Sequence, residues 1–412
     1  MKPAGPLPPD YAAAPRLTLA GFDHAHWIER AGGTTPLFVY DMTVVADRLA
    51  RLRADLPPGV AIHYAVKANP FGDLLDALAP TVDGLDVASA GELAMALDRV
   101  PAERISFAGP GKRDVELEAA IAAGATINLE SEGEAERALA IAARLDRRPR
   151  LAVRVNPDFE LRGSGMKMGG RASPFGVDAD RVPALVRRVR DAGADWRGFH
   201  IFAGSQSLDT DAIVESQAAT LALAADLTER SGAVPPLVNL GGGFGIPYFP
   251  GDTPVDTHGI GAALAQAIGN VRSILQDTEF ALELGRWIAG QAGVYLTRVV
   301  DRKRSREETF LVTDGGLHHQ LAASGNFGTV VRRNYPVALA ARMNAAPDET
   351  VSIVGCLCTP LDRLADRVAL PRAEVGDVIA IFCAGAYGLS ASPAAFLGHP
   401  QPPEILALPA QT

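Results

Sequence analysis

The chain has 412 residues, of which 48% are hydrophobic and 21% charged, and its formal net charge is −9. This length exceeds one ordinary core and predicts two domains, while the acidic balance argues against a nucleic-acid partner. No apolar run approaches the roughly 18 to 20 residues of a transmembrane helix. The start of the chain lacks the apolar region of a signal peptide, and three cysteines predict a reducing cytoplasm rather than a disulfide framework.

The order of the predicted elements indicates two domains preceded by a short segment. Residues 1–35 are expected to pack on the second domain, and the apolar run at 36–41 is expected to lead the chain into the first domain, over 36–285. Within that domain, eight β-rich runs alternate with helical stretches, which predicts a parallel (β/α)8 barrel; a doubly wound open sheet is the alternative. The runs are 62–69, 84–89, 105–110, 125–131, 150–157, 198–204, 237–244 and 280–286.

The pattern changes in residues 286–412, where strands follow one another through turns with little helix between them. The runs VYLTRVVDRKRS, TFLVTDGG, VSIVGCLC and DVIAIFCAG carry the strand signal. The sequence therefore predicts a second, mostly antiparallel β domain.

Polar residues and glycines stand where the barrel strands are predicted to end. In a β/α barrel the active site lies at these carboxyl ends, so the residues are expected to converge on one rim. They are Lys67, Asp86, Arg154, His200, Ser205, Gly241–Gly243, Glu283 and Arg286.

Lys67 ends the run HYAVKANP, which is otherwise typical of a buried strand. Burial lowers the pKa of a lysine, because desolvation disfavours the ammonium, and a neutral amine is a nucleophile toward carbonyl groups. The alternative is a lysine whose stem is buried while its charge reaches water. The other polar residues of the rim favour the chemical role.

Two motifs near the end of the barrel indicate what the lysine binds. NLGGGFG offers backbone N–H groups that can approach a phosphate, although a tight turn alone also explains the glycines. In ELGR, Arg286 can bind the same phosphate in bidentate fashion, and Glu283 can keep a heterocyclic nitrogen protonated. A lysine, a phosphate site and such a carboxylate together predict pyridoxal 5′-phosphate.

These motifs, with DVASAGEL, NLESEGE, RVNPD, GSQ and GAY, identify a resemblance over about residues 34–405. The sequence resembles the fold type III pyridoxal-phosphate decarboxylases, which include the ornithine, arginine and diaminopimelate decarboxylases. The resemblance implies an alanine racemase-like architecture, a barrel followed by a β domain. It also implies a carboxy-lyase that uses pyridoxal 5′-phosphate.

The resemblance assigns roles by matching motif. Lys67 would hold the cofactor covalently, and Glu283 would face its ring nitrogen. Asp86 would lie near the lysine and Arg154 near the ring. The phosphate and the neighbouring backbone would be contacted by Ser205, Gly241, Gly242, Gly243, Gly285, Arg286 and Tyr387. Phe202 stands at the position expected to stack on the ring, with His200 two residues earlier on the same face; which of the two rings touches the cofactor stays open.

GCLCTPLD matches the motif that carries the family's catalytic cysteine, which makes Cys358 the expected proton donor after carbon dioxide leaves. In the family this cysteine reaches the active site of the other subunit, so a homodimer with shared active sites is implied. For Cys358 taken alone, the alternative is a buried core thiol.

The expected substrate residues depart from the family pattern. Thr359 stands where amine-binding members carry an acid, and Asp362 is the nearby carboxylate that could compensate. His318 lies in DGGLHHQLAASGNFG, which lacks the Arg-Pro of the diaminopimelate enzymes. A distal ammonium without an anion would be poorly held, so the substrate is expected to lack one.

The same features resemble a narrower subgroup that includes the butirosin-type decarboxylases of glutamyl thioesters on acyl carrier proteins. An acidic aminoacyl thioester is therefore the expected substrate and an acyl carrier protein the possible partner. Arg162, Lys167 and Arg171 lie on a glycine-rich segment that could meet this carrier; a solvated mobile lid is the alternative.

Three other functions are alternatives to this one. A free amino-acid decarboxylase of the diaminopimelate or ornithine type is the main alternative, ahead of a racemase and of a regulatory protein that binds the cofactor without turnover. No metal site is predicted. Cys356 and Cys358 form C-x-C without a second pair, and the adjacent His318 and His319 are expected to point to opposite sides of a strand.

Overall fold

A computed structural model describes residues 1–163, 165–167, 169–170, 172–325 and 333–409. Eight parallel strands close into a barrel, because Glu279–Leu284 pairs with Val60–Ala65 and Arg150–Asn156 pairs with Thr126–Leu129. All eight predicted runs contribute a strand, and the closure excludes the open sheet. The barrel strands are Val60–Ala65, Gly84–Val87, Ile105–Phe107, Thr126–Leu129, Arg150–Asn156, Asp195–Ile201, Leu237–Gly242 and Glu279–Leu284.

The barrel helices cover these strands from outside, so the strands are almost wholly buried, as expected for parallel strands with both faces covered. In five of the eight helices, an Asp or Ser side chain at the N-cap accepts a hydrogen bond from the first turn. Ser131, for example, accepts a hydrogen bond from the backbone N–H of Glu134 at 3.1 Å. The helices are Met42–Asp55, Gly72–Leu78, Ala90–Leu97, Asp114–Ala123, Glu132–Leu145, Val182–Asp191, Thr210–Ser231 and Thr257–Val271.

The second sheet is built around the long strand Gly293–Ser305. It is mostly antiparallel; within the described ranges, the parallel pairs of strands are Glu308–Thr313 with Glu349–Val354 and Leu37–Asp41 with Glu404–Ala407. The remaining strands of this sheet are Val337–Leu339, Arg363–Leu370 and Val378–Ile381.

The strand Leu37–Asp41 corrects the predicted start of the barrel. It pairs with Gly293–Ser305, with Phe38 opposite Tyr295, and so belongs to the second sheet. The chain enters the barrel after Asp41 rather than at residue 36. The run was assigned to the wrong domain because an apolar strand does not reveal its partner, which lies more than 250 residues away in the sequence.

The first residues of the chain also contact the second domain. The backbone N–H of Leu17 donates to the carbonyl of Ala340 at 2.8 Å, and that of Lys2 donates to Arg367 at 2.8 Å. This segment forms the helices Pro9–Ala12 and His24–Arg30 and the two-residue strands Thr18–Leu19 and Phe22–Asp23. No helix in the described ranges is long and apolar enough to cross a membrane.

Candidate active site

A cavity of about 350 Å³ lies at the carboxyl ends of the barrel strands. Six of the predicted site residues line it together: Lys67, Asp86, Arg154, His200, Phe202 and Glu283. A larger depression of about 650 Å³ between Ala142 and Gly193 lies at the opposite, amino end of the strands, where barrel enzymes do not place their chemistry. The smaller cavity is therefore the candidate active site.

Lys67 lies just beyond the first barrel strand, in the 3-10 turn Val66–Ala68, and its side chain is 46% exposed. Its Nζ lies 3.1 Å from Oε1 of Glu283. The charge of this carboxylate raises the pKa of Lys67 above the ordinary lysine value. The prediction of a buried lysine with a lowered pKa is wrong for the protein without cofactor, because a close anion outweighs the desolvation.

Glu283 joins Lys67 to His200. Its second oxygen, Oε2, lies 3.0 Å from Nε2 of His200, and the carboxylate is only 6% exposed. Burial acts to raise the pKa of Glu283, but Lys67 and His200 together hold it well below the usual range. The cavity thus contains a carboxylate whose ionised form is stabilised, the group needed to keep a ring nitrogen protonated.

His63 is a site residue that the sequence analysis missed. Its Nδ1 lies 3.4 Å from Oδ1 of Asp86, and burial, which lowers the pKa of His63, is outweighed by this carboxylate, so that the pKa is raised. The other oxygen of Asp86 is buried and has no hydrogen-bond partner among the described residues. His63 belongs to the run HYAVKANP, four residues before Lys67, so the motif that indicated Lys67 could also have indicated His63.

Glu130, in the quoted motif NLESEGE, is a second residue that was missed. It pairs with Arg154 at 2.8 Å and accepts the backbone N–H groups of Gly109 at 2.6 Å and Gly176 at 2.7 Å. Burial acts to raise the pKa of Glu130, but Arg154 and Lys112 lower it below its ordinary value. Glu130 therefore fixes Arg154 and two loops of the rim at once.

The glycine run lies where backbone segments approach closely. A Cβ at Gly242 would lie 2.0 Å from the carbonyl oxygen of Glu283, and Gly241 and Gly243 have φ angles of +68° and +82°. A Cβ at Gly285 would lie 2.6 Å from Cβ of Ala68, the residue after Lys67. These glycines are needed for the packing of the rim, independently of any ligand.

Arg286 and Tyr387 connect the two domains beside the cavity. The Arg286 guanidinium lies 4.6 Å from the centre of the Tyr387 ring and donates to the hydroxyl of Tyr248 at 2.9 Å. Its Nε is buried without a partner among the described residues. The backbone N–H of Tyr387 donates to the carbonyl of Ala68 at 2.7 Å. Ser205, half-buried, pairs through its backbone with Met166.

The remaining predicted residues do not line this cavity. Cys358 is exposed, and Thr359 is half-buried beside it. His318 has no exposed surface, which does not support a substrate contact. His318 and His319 were expected on opposite sides of a strand, but they lie in a turn with ring centroids 3.7 Å apart, so that prediction is wrong.

Asp362 is a structural residue in this chain. Its Oδ1 accepts the backbone N–H of Leu317 at 2.7 Å, and its Oδ2 accepts that of Leu357 at 2.8 Å. The side chain is packed so tightly that a Cβ on Gly316 or Gly355 would overlap it. The expectation that Asp362 could partly supply a counter-charge to substrate is not supported, since each of its oxygens already accepts a backbone hydrogen bond and little space remains around them.

Part of the predicted carrier-facing segment can be located. Arg162 forms an ion pair with Glu215 of the helix Thr210–Ser231, and both side chains are more than half exposed. Lys167 belongs to the two-residue strand Met166–Lys167, but its side chain and Arg171 lie outside what the structure describes.

The sequence of this chain is similar to those of known proteins. Residues 42–290 match the family described as "Pyridoxal-dependent decarboxylase, pyridoxal binding domain". The chain is 38% identical to the "L-glutamyl-[BtrI acyl-carrier protein] decarboxylase" of Niallia circulans, over 90% of this chain and 88% of the relative. It is 31% identical to the diaminopimelate decarboxylase of Archaeoglobus fulgidus, over 95% and 91% of the two chains.

The fold is similarly close to solved structures. The diaminopimelate decarboxylase of M. jannaschii in complex with L-lysine superposes with a TM-score of 0.84 at 25% identity, covering 98% of this chain and 92% of that one. The corresponding enzyme of Helicobacter pylori, also with L-lysine, gives a TM-score of 0.79 at 25% identity, covering 90% and 91%.

Proposed function

Because this chain belongs to the pyridoxal-dependent decarboxylases, we propose that its substrate is an acidic aminoacyl thioester presented by an acyl carrier protein. The observation that carries this proposal is the environment of Asp362. Both oxygens of that carboxylate are bound to backbone N–H groups, and the residue after Cys358 is a threonine. The described loop that carries Cys358, Thr359 and Asp362 therefore offers no free anion to a distal ammonium. The glutamyl-carrier relative at 38% identity supports the same substrate class.

The residues of the cavity fit pyridoxal 5′-phosphate. Lys67 is open to the cavity, an ionised Glu283 lies beside it, and buried polar atoms of Asp86, His200 and Arg286 have no partner among the described residues. Such atoms cost free energy when they stay unpaired, so the set is arranged for a polar ligand that both donates and accepts hydrogen bonds. When bound, the cofactor supplies the electron sink for the bond that breaks between Cα and the carboxylate.

Each residue has a defined task in this proposal. Lys67 holds the cofactor covalently and Glu283 keeps a proton on its ring nitrogen. Asp86 and Arg154, fixed by His63 and Glu130, orient the ring. His200 holds Glu283 through its Nε2 at 3.0 Å, and Phe202, which also lines the cavity, is the ring that stacks on the cofactor in this proposal. The phosphate is bound by Ser205, Gly241, Gly242, Gly243, Arg286 and Tyr387, with Gly285 allowing the close packing of the Lys67 turn.

Cys358 acts at the active site of a second subunit in this proposal. It is exposed on its own chain and is not part of that chain's cavity, as expected if it completes the partner's site in a homodimer. There its thiol returns a proton to Cα after carbon dioxide leaves. Mixing Lys67→Ala with Cys358→Ala protein tests this: each variant alone is impaired, and the mixture regains activity through one intact site. Without such recovery, the shared site is refuted.

The substrate class is tested with carrier proteins loaded with glutamyl or aspartyl groups, alongside free glutamate, diaminopimelate, lysine and ornithine. Intact-protein mass spectrometry follows the loss of carbon dioxide from the carrier, with Lys67→Ala as the control. We expect turnover of the loaded carrier only. Turnover of a free diamino acid instead would overturn the thioester substrate and would leave the decarboxylase family unchanged.

A further inference from the structure

A second cluster of reactive side chains lies in the β domain, outside the cavity. It consists of His318, Cys356 and His399, which come from three segments far apart in the sequence. One ligand atom from each residue lies within 4.8 Å of the other two. Sγ of Cys356 and Nε2 of His399 are 3.9 Å apart. A tetrahedral zinc ion with its usual bond lengths would hold sulfur and nitrogen roughly 3.5 Å apart, so this pair needs a shift of only a few tenths of an ångström, and His318 would move toward it on binding.

His318 provides an independent observation. Its side chain is fully buried, yet neither ring nitrogen has a hydrogen-bond partner within the described ranges. The adjacent His319 shows the contrast, because its Nδ1 lies 3.1 Å from the hydroxyl of Tyr295 and its Nε2 lies 3.3 Å from the carbonyl of Pro400. Among the described residues, the fold thus provides hydrogen-bond partners for His319 but not for His318, whose ring lies beside Cys356 and His399. An unpaired buried imidazole costs free energy unless a ligand completes it.

We propose that His318, Cys356 and His399 form a binding site for a borderline-soft divalent cation of the zinc class. Two imidazoles and one thiolate are the donor set that such ions prefer over magnesium or calcium. The three residues supply three positions of a tetrahedron, and water completes the fourth. On binding, the Cys356 thiol releases its proton to solvent and its sulfur bonds the metal, with no redox change. Cys356 and His399 are half-buried rather than fully buried, which leaves a path from solvent.

The proposed metal site lies close to Cys358, so a bound ion would affect the loop that carries this residue. Cys356 lies two residues before Cys358, and the loop that carries both is joined through Asp362 to the turn that carries His318. A metal ion would add a direct bond between that turn, this loop and the segment of His399. The ion would therefore position the Cys358 loop, while the metal site itself does not depend on the identity of the substrate.

The test uses full-length holoenzyme purified without a histidine tag and dialysed without chelator. Elemental analysis should find about one zinc per chain. Cys356→Ser and His399→Gln should each lower the zinc content by about tenfold or more. Cys358→Ser, a neighbouring thiol, and His258→Gln, a histidine with an 85% exposed side chain, should retain it. Circular dichroism checks that every variant is folded.

If the variants fail to fold, a second measurement on the wild-type protein still tests the proposal. Wild-type protein is stripped with a chelator and titrated with Co²⁺, whose bond to a thiolate gives a charge-transfer absorption in the near ultraviolet. We expect this band to appear and to saturate at about one equivalent. No zinc and no cobalt–thiolate band in the wild type would overturn the proposal. Retention of both by folded Cys356→Ser would overturn it as well.

Discussion

Replacing Glu283 by glutamine should lower the pKa of Lys67 in the cofactor-free enzyme. The two charges lie 3.1 Å apart, which corresponds to about 5 kcal/mol of attraction at an effective dielectric constant of 20. Because the lysine side chain is 46% exposed, solvent screening reduces this to about 1–3 kcal/mol. At about 1.4 kcal/mol per pKa unit, the pKa of Lys67 should fall by about one to two units.

The assay measures how fast Lys67 reacts with an amine-specific acylating reagent as a function of pH, with peptide mass spectrometry isolating this lysine from the others. Only the neutral amine reacts, so a lower pKa shifts the rate profile to lower pH. Glu279→Gln is the matched control, because Glu279 lies on the same strand at its exposed, opposite end. A Lys67 profile in Glu283→Gln that coincides with the wild type, or lies at higher pH, would refute the reasoning.

Three further changes test other parts of the site. Cys358→Ala should keep the cofactor spectrum while slowing product formation by about 100-fold or more; normal turnover would remove Cys358 from catalysis. Asp362→Asn should lower the melting temperature, because one charge-assisted backbone hydrogen bond worth about 1.5–3 kcal/mol is lost; unchanged stability with a raised KM would instead indicate a substrate contact. Gly242→Ala should be destabilised by about 1–3 kcal/mol or more in thermal denaturation, unlike Gly269→Ala, whose added Cβ meets no atom within 4 Å.

The barrel could be predicted from the sequence because its signal is local. Each buried parallel strand is a short apolar run, and each run carries a polar residue or a glycine near its end. Five of the residues picked out by that position line one cavity, namely Lys67, Asp86, Arg154, His200 and Glu283. The strand Leu37–Asp41 shows the limit of such a signal. Its apolar run was found, but its partner in the second sheet was not, since pairing depends on contacts that no local pattern encodes.

The electrostatics of the site could not be predicted for the same reason. The ion pair of Lys67 with Glu283 joins positions 216 residues apart, and it reverses the pKa shift expected from burial alone. Glu130 lies within the motif NLESEGE, yet its role follows from three hydrogen bonds, one from Arg154 in a barrel strand and two from separate loops. The cluster of His318, Cys356 and His399 has no metal-binding spacing in the sequence, because its members meet only after the β domain is folded.

The described loop that carries Cys358 has no free carboxylate, and this has an energetic consequence for substrate choice. A diamino acid brings an ammonium whose desolvation must be offset by a nearby charge, and the carboxylate of Asp362 already serves two backbone N–H groups. Turning that carboxylate toward a substrate would leave both groups unpaired, at a cost of about 1–3 kcal/mol each. A thioester on a carrier avoids this cost, because its distal end is neutral and extends out of the cavity. Specificity in this enzyme is therefore expected to come from the docking of the carrier rather than from a charged pocket.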